Sequence, residues 1–248
     1  MLEHRLSMIK KQLFFTMMFL AWSFVAPARN FVVCVGVSDY PDEKNDLSLP
    51  VGDANAIAVV YEKNGDARVK VLTDKKATLK KVLKAIGQMA SRATSDDAVC
   101  FYFSGHGVPG GFVCYDGVIA YDVLSRKLLS SAAGTKIVIA DACYSGMARN
   151  LKQYGAPSAE TVGKNNVVFF LSSRTNEKSK EKEGWRNSIF TAYLERGLQG
   201  GADVDRDRII TVREIYNFVS EGVAKTSLDK QHPVMWGKFE DKMPLMKW

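Results

Sequence analysis

The chain has 248 residues and a formal net charge of +7, long enough for one substantial domain with a buried core. Hydrophobic residues make up 46% and charged residues 25%, which excludes a disordered or fibrous chain. The basic excess is scattered, and its densest run, Lys178-Ser-Lys180-Glu-Lys182, contains acid and reads as a solvated loop, so no nucleic-acid partner is expected.

In chain order, Lys10 and Lys11 precede the uncharged run Leu13–Val25, and Ala26-Pro27-Ala28 follows it. A basic flank, an apolar core shorter than the roughly 20 residues of a membrane span, and A-x-A describe a secretory signal at residues 1–28. Cleavage is expected after Ala28, leaving residues 29–248 in a secreted or periplasmic protein with formal charge +5 and no stable membrane span. Initiation at Met8 would give a more usual signal length, and an uncleaved anchor is the alternative. Four cysteines (Cys34, Cys100, Cys114, Cys143) without C-x-x-C provide neither a disulfide scaffold nor a zinc site.

The β-branched run Asn30–Pro41 predicts a strand buried on both faces. A helix follows over Asp53–Asn64, then a short strand over Val69–Asp74 and an amphipathic helix over Thr78–Ala90. Ala98–Ser104 predicts a second buried strand, running into Gly105-His106-Gly107. The Gly-rich hairpin VPGGFVCYDG and a helix near Tyr121–Ser130 come next. Thr135–Asp141 predicts a third buried strand, running into Ala142-Cys143-Tyr144-Ser145-Gly146. A polar stretch from Met147 to Asn166 leads to a strand over Val167–Ser172. Residues 173–187 read as a surface loop, followed by helices over Ser188–Gln199 and Val212–Lys225.

Apolar strands alternating with amphipathic helices predict an α/β fold: a mostly parallel sheet with helices on both faces. Ligands of such sheets bind beyond the carboxyl ends of the strands. His106 and Cys143 each lie just past such an end. His4 falls in the signal segment, which leaves His106 and His232 as bases, and only His106 is glycine-flanked. Cys34 and Cys100 fall mid-strand and read as buried thiols. A free thiol is only a few per cent thiolate at neutral pH, so it needs a neighbouring base such as imidazole. Backbone N–H groups at a glycine-lined turn can then stabilise the oxyanion of acyl transfer.

A strand ending in Ser-Gly-His-Gly107, followed by a strand ending in Asp141-Ala-Cys-Tyr-Ser-Gly146, resembles the caspase-like cysteine peptidases, most closely metacaspases and their bacterial relatives. The resemblance extends to Asn187-Ser-Ile-Phe-Thr191 and Gln231-His-Pro233. It implies a three-layer α/β sandwich with about six strands, spanning residues 29–248. It also implies an endopeptidase with Cys143 as nucleophile, His106 as acid and base, and an oxyanion hole from the backbone of Gly107 and Cys143. A third catalytic residue is not implied. Asp141 and Asp116 resemble family aspartates of an acidic pocket that would take Arg or Lys and reject Asp. Their alternatives are a helix cap for Asp141 and a turn residue for Asp116. Ala142 and Tyr144 depart from the Ser and His common beside a metacaspase nucleophile, which bears on substrate preference. Arg149, Lys152, Lys164, Lys180 and Lys182 are self-cleavage candidates under this preference. A catalytically silent binding module and a peptide ligase are the competing functions, and retention of both Cys and His argues against the first.

No cofactor is required for thiol chemistry. A calcium loop is the one metal expectation: Asp203, Asp205, Asp207 and Glu214 occupy positions 1, 3, 5 and 12 of an EF-hand-like segment. Arg208 stands where such loops place glycine, and Thr211 with Glu214 also forms a capping box that needs no metal. The partner expected is a peptide or protein substrate, and the sequence does not set the oligomeric state.

Overall fold

The computed structural model describes residues 29–64, 66–142, 167–174, 184–237 and 240–247. The signal segment, Cys143 and the five self-cleavage candidates lie outside them. A six-stranded sheet runs in the order β10-β8-β7-β3-β1-β2. Its strands are β1 (Asn30–Gly36), β2 (Ala67–Thr73), β3 (Ala98–Ser104), β7 (Thr135–Asp141), β8 (Val167–Leu171) and β10 (Val234–Gly237). All neighbours pair in parallel except β10, which runs antiparallel to β8 at one edge. Beside the sheet, β4 (Gly107–Val108), β5 (Gly111–Cys114) and β6 (Gly117–Ala120) form a small antiparallel sheet, one strand more than the expected hairpin. A pair between β9 (Ile209–Thr211) and β11 (Pro244–Lys247) completes the strands among the described residues.

Strand alternation divides the core into two layers. Val33, Val35, Phe101, Phe103, Val138 and Phe169 face α2 (Leu79–Ala90) and α3 (Tyr121–Leu129). Val32, Cys34, Tyr102, Ile139 and Phe170 face α1 (Pro50–Lys63), α4 (Ile189–Arg196) and α5 (Val212–Thr226). The expected three-layer α/β sandwich is therefore the observed architecture.

Two elements differ from expectation for identifiable reasons. The first strand ends at Gly36: Val37 N–H still reaches Ser104 O at 3.1 Å, but the next two donors turn away, and Asp74 Oδ1 accepts the N–H groups of Ser38 and Asp39 at 2.9 and 3.0 Å. The first helix begins at Pro50, three residues early, since proline suits the first helical position, where its missing N–H has no partner to lose. Gly36 is pressed against this helix start, so that a Cβ there would overlap the Pro50 carbonyl. Gly36→Ala is expected to cost about 1–3 kcal/mol by overpacking, read as a lowered denaturant midpoint. An unchanged midpoint would contradict this packing.

Candidate active site

The register of the sheet sets the site. Ser104, last in β3, pairs directly with Asp141, last in β7. The chain positions two residues further on are His106 and Cys143. Adjacent parallel strands lie about 4.8 Å apart, so the two strands that precede these motifs end side by side. Gly105 N–H donates to Asp141 O across this boundary, at 3.3 Å.

His106 is fixed by its surroundings. Its Nε2 lies 2.8 Å from the main-chain carbonyl of Asn45, in the 3-10 turn Glu43–Asn45. A carbonyl only accepts, so Nε2 carries the proton and Nδ1 is the nitrogen able to take one. This carbonyl is the orienting group that sequence reading missed. A backbone acceptor leaves no side-chain signature, and nothing in Glu43-Lys44-Asn45 announces it. The His106 main-chain N–H donates to the Tyr40 hydroxyl at 2.9 Å, and the Tyr40 and His106 rings lie 5.0 Å apart. Gly105 has φ +152°, and a Cβ on it would sit 2.8 Å from Tyr40 Oη. Glycine is required there both for that backbone conformation and for that close approach. His232, the other candidate base, pairs instead with Asp229 at 2.9 Å.

The described thiols are unsuited to attack. Cys34, Cys100 and Cys114 are buried, and burial pushes Cys34 upward and the other two to about 12.

The two predicted pocket aspartates separate. Asp141 is buried, and its Oδ2 accepts from the hydroxyls of Ser188 and Thr191, the latter at 2.9 Å. Asp116 lies in the turn between β5 and β6, where its Oδ1 accepts the N–H of Leu79 at the start of α2, at 2.6 Å. The carboxylate that accompanies Asp141 is Asp53, in the first turn of α1. Asp53 accepts from Ser104 Oγ at 2.9 Å and from Asn187 Nδ2 and Ser188 N, both at 3.0 Å. Ser188 thus bridges the two acids at the N-terminus of α4, where the helix dipole favours negative charge. No Lys or Arg among the described residues bonds Asp53. Burial, then the charge of Asp141, raises the Asp53 carboxyl to about 7, against hydrogen bonds from Asn187, Ser104 and Ser188. Sequence reading placed Asp53 at the start of a helix and gave it no role. Its only available signal was an acid among the small apolar residues of a helix otherwise destined for burial.

Gln231 of the Gln-His-Pro segment is buried, and its Nε2 donates to Ser172 O at 2.8 Å, tying the C-terminal segment to the end of β8. In the acidic loop, Asp203, Asp205 and Glu214 each bring a carboxylate oxygen within 4.8 Å of the others. Asp207 is not in this group; its Oδ1 accepts the Ile209 N–H at 2.7 Å. Thr211 and Glu214 form the capping box of α5. Among the described residues no helix is long and apolar enough to cross a membrane.

The chain matches the family model of the caspase domain over residues 29–244. No curated protein matches it. Among solved structures it is similar to caspase-1 from Spodoptera frugiperda, with 17% identity, TM-score 0.65, and coverage of 89% of this chain and 91% of that one. It is also similar to a protein from Geobacter sulfurreducens, with 19% identity, TM-score 0.63, and coverage of 85% and 93%. At these identities the two structures bear on the fold alone.

Proposed function

The chain belongs to the caspase-domain peptidase family, and we propose that it is a cysteine endopeptidase working through Cys143 and His106 and cutting after Arg or Lys. The observation that carries the dyad is the pairing of Ser104 with Asp141, the residues two positions before His106 and Cys143 in the chain.

In this reading His106 Nδ1 takes the Cys143 thiol proton while Nε2–H stays on the Asn45 carbonyl. The thiolate adds to the scissile carbonyl carbon, and the resulting oxyanion is met by the backbone N–H groups of Gly107 and Cys143. Collapse breaks the C–N bond, and His106 gives its proton to the departing amine. The remaining thioester is hydrolysed by a water that His106 deprotonates, and the acid product leaves as the thiol reforms. A peptide ligase would share every step but the last, accepting an amine in place of water.

The preference for basic residues rests on Asp53 and Asp141, buried together, with no Lys or Arg bonded to Asp53 among the described residues. A guanidinium or ammonium would supply Asp53 with a counter-charge. Asp116, engaged at the start of α2, acts at most on the margin of such a pocket. Turnover of Arg, Lys and Asp peptides tests this. Arg and Lys substrates are expected to be cleaved and Asp substrates not, and equal turnover of Asp and Arg peptides would overturn the specificity.

Placement outside the cytosol belongs to the same proposal and rests on the basic, apolar and A-x-A pattern of residues 1–28. No cofactor enters the chemistry. Calcium enters only at the acidic loop, where Asp203 Oδ1 is buried without a hydrogen-bond partner beside Asp205 and Glu214. Calcium in about hundredfold excess over its Kd is expected to raise Tm by about 5 °C or more, reversibly with chelator. An unchanged Tm removes calcium from the account.

A further inference from the structure

The register of the small sheet pairs Gly107 with Phe112 and Val108 with Gly111. Continued by one residue, it brings His106 opposite Val113. An antiparallel hydrogen-bonded pair exchanges two bonds, each residue donating its N–H to the other's carbonyl. Here only one is direct: Val113 N–H donates to His106 O at 2.9 Å. The reciprocal bond is interrupted by a side chain. His106 N–H donates to Tyr40 Oη at 2.9 Å, and the Tyr40 hydroxyl in turn donates to Val113 O at 3.2 Å. The phenol occupies the place a bridging water would take in a splayed ladder.

We propose that Tyr40 is a positioning residue of the catalytic base, its hydroxyl holding the strand open at His106 so that the imidazole and the following Gly107 peptide point into the site. This inference rests on the Cys143–His106 reading above. Tyr40 is 6% exposed, with its ring against the imidazole, and its own N–H is held by Asp46 Oδ1 at 2.9 Å. Asn45, whose carbonyl takes the imidazole Nε2–H, lies between these two residues. The short segment Tyr40–Asp46 therefore grips His106 at two points, main chain and ring, and is closed on itself by the Tyr40–Asp46 bond. Gly105 fits the same geometry, since any side chain there would strike the hydroxyl. Burial also pushes the phenol upward, so the hydroxyl keeps the proton it donates to Val113.

Without the hydroxyl, the direct His106–Val113 bond can close, which swings the histidine, or two half-buried backbone groups lose their partner. Either displaces the base by a fraction of an ångström to an ångström, and displacements of that order can cost about 10²-fold in rate. The test compares steady-state kinetics and kcat/KM pH profiles of the wild type with Tyr40→Phe, Tyr61→Phe and His106→Ala. Tyr61 is a fully buried tyrosine on the other face of the sheet, its hydroxyl on the Cys100 thiol at 3.8 Å, and it serves as the control for losing a buried phenol oxygen. Tyr40→Phe is expected to lower kcat about 10–100-fold with KM within about twofold, and to move the His106 limb of the pH profile. Tyr61→Phe is expected to lower Tm alone. Unchanged kcat and pH profile in a folded Tyr40→Phe protein, beside an inactive His106→Ala protein, overturn the positioning role and leave the dyad standing. Full activity in His106→Ala overturns the dyad and this inference with it. If Tyr40→Phe does not fold, Asp46→Ala, at an exposed position, disturbs the same grip. It is expected to show the same loss in kcat at constant KM, and an unchanged kcat there counts against the proposal.

Discussion

Cys143→Ala is expected to lower kcat/KM by about 10⁴-fold or more, with the fold and melting temperature retained. Losing the nucleophile removes the covalent route itself, and in other acyl-transfer enzymes that single change costs about as much as removing the whole catalytic set. The other thiols cannot compensate. Cys34, Cys100 and Cys114 are buried, and burial holds their protons on far above neutral pH. Titration with a thiol reagent under native conditions should therefore modify one cysteine rapidly in the wild type and none in Cys143→Ala. Residual activity above about one per cent in Cys143→Ala would place the nucleophile elsewhere.

The second large effect is expected at the buried carboxylate pair. Asp141→Asn and Asp53→Asn each remove a negative charge from a site with little access to water, where leaving a partner charge unmatched costs about 2–5 kcal/mol. Turnover of Arg peptides should fall by about 10²-fold or more, while neutral peptides lose little, so the discrimination between them collapses. A pH dependence is expected from Asp53. With its carboxyl raised to about 7, Asp53 binds a proton more tightly in the folded chain than in the unfolded one, whose value is near 4. Its effect on stability is thus most favourable below about pH 4 and is progressively lost as pH rises to about 7. A bound cation reverses the preference by favouring the ionised form. KM for Arg peptides is therefore expected to fall as pH rises through about 7, and Asp53→Asn should lack both this dependence and the matching slope in Tm. A wild-type-like pH profile of KM in Asp53→Asn would remove Asp53 from the pocket.

Much of the fold is legible in the sequence because its strands are short, apolar runs with sharp ends. Ala98–Ser104 and Thr135–Asp141 are delimited by the glycine-rich motifs that follow them, and both strands have those bounds in the structure. The edges are harder to read. β9, β10 and β11 have three or four residues each, too few for a period to emerge, and they are stabilised by partners distant in sequence. The site is legible where chemistry resides in side chains next to glycine, as at His106. It is illegible where the groups come from backbone or from distant helices. The Asn45 carbonyl is one such group, and Asp53 is brought to Asp141 by the packing of α1 against α4, across 88 residues of chain. The reading of Asp116 shows the converse. An acid in a glycine-rich turn looks available for a ligand, but its carboxylate satisfies the first N–H of a neighbouring helix.

We propose that a single thiol, activated by His106, attacks beside a cation-selecting pocket. The most direct test is covalent labelling with paired peptidyl ketone inhibitors that carry Arg or Asp at the cleavage position, located by peptide mass mapping. The account predicts one label on Cys143 from the Arg reagent, little from the Asp reagent, and strong suppression of labelling in His106→Ala. A label on Cys34, Cys100 or Cys114, or equal labelling of Cys143 by both reagents, would contradict it.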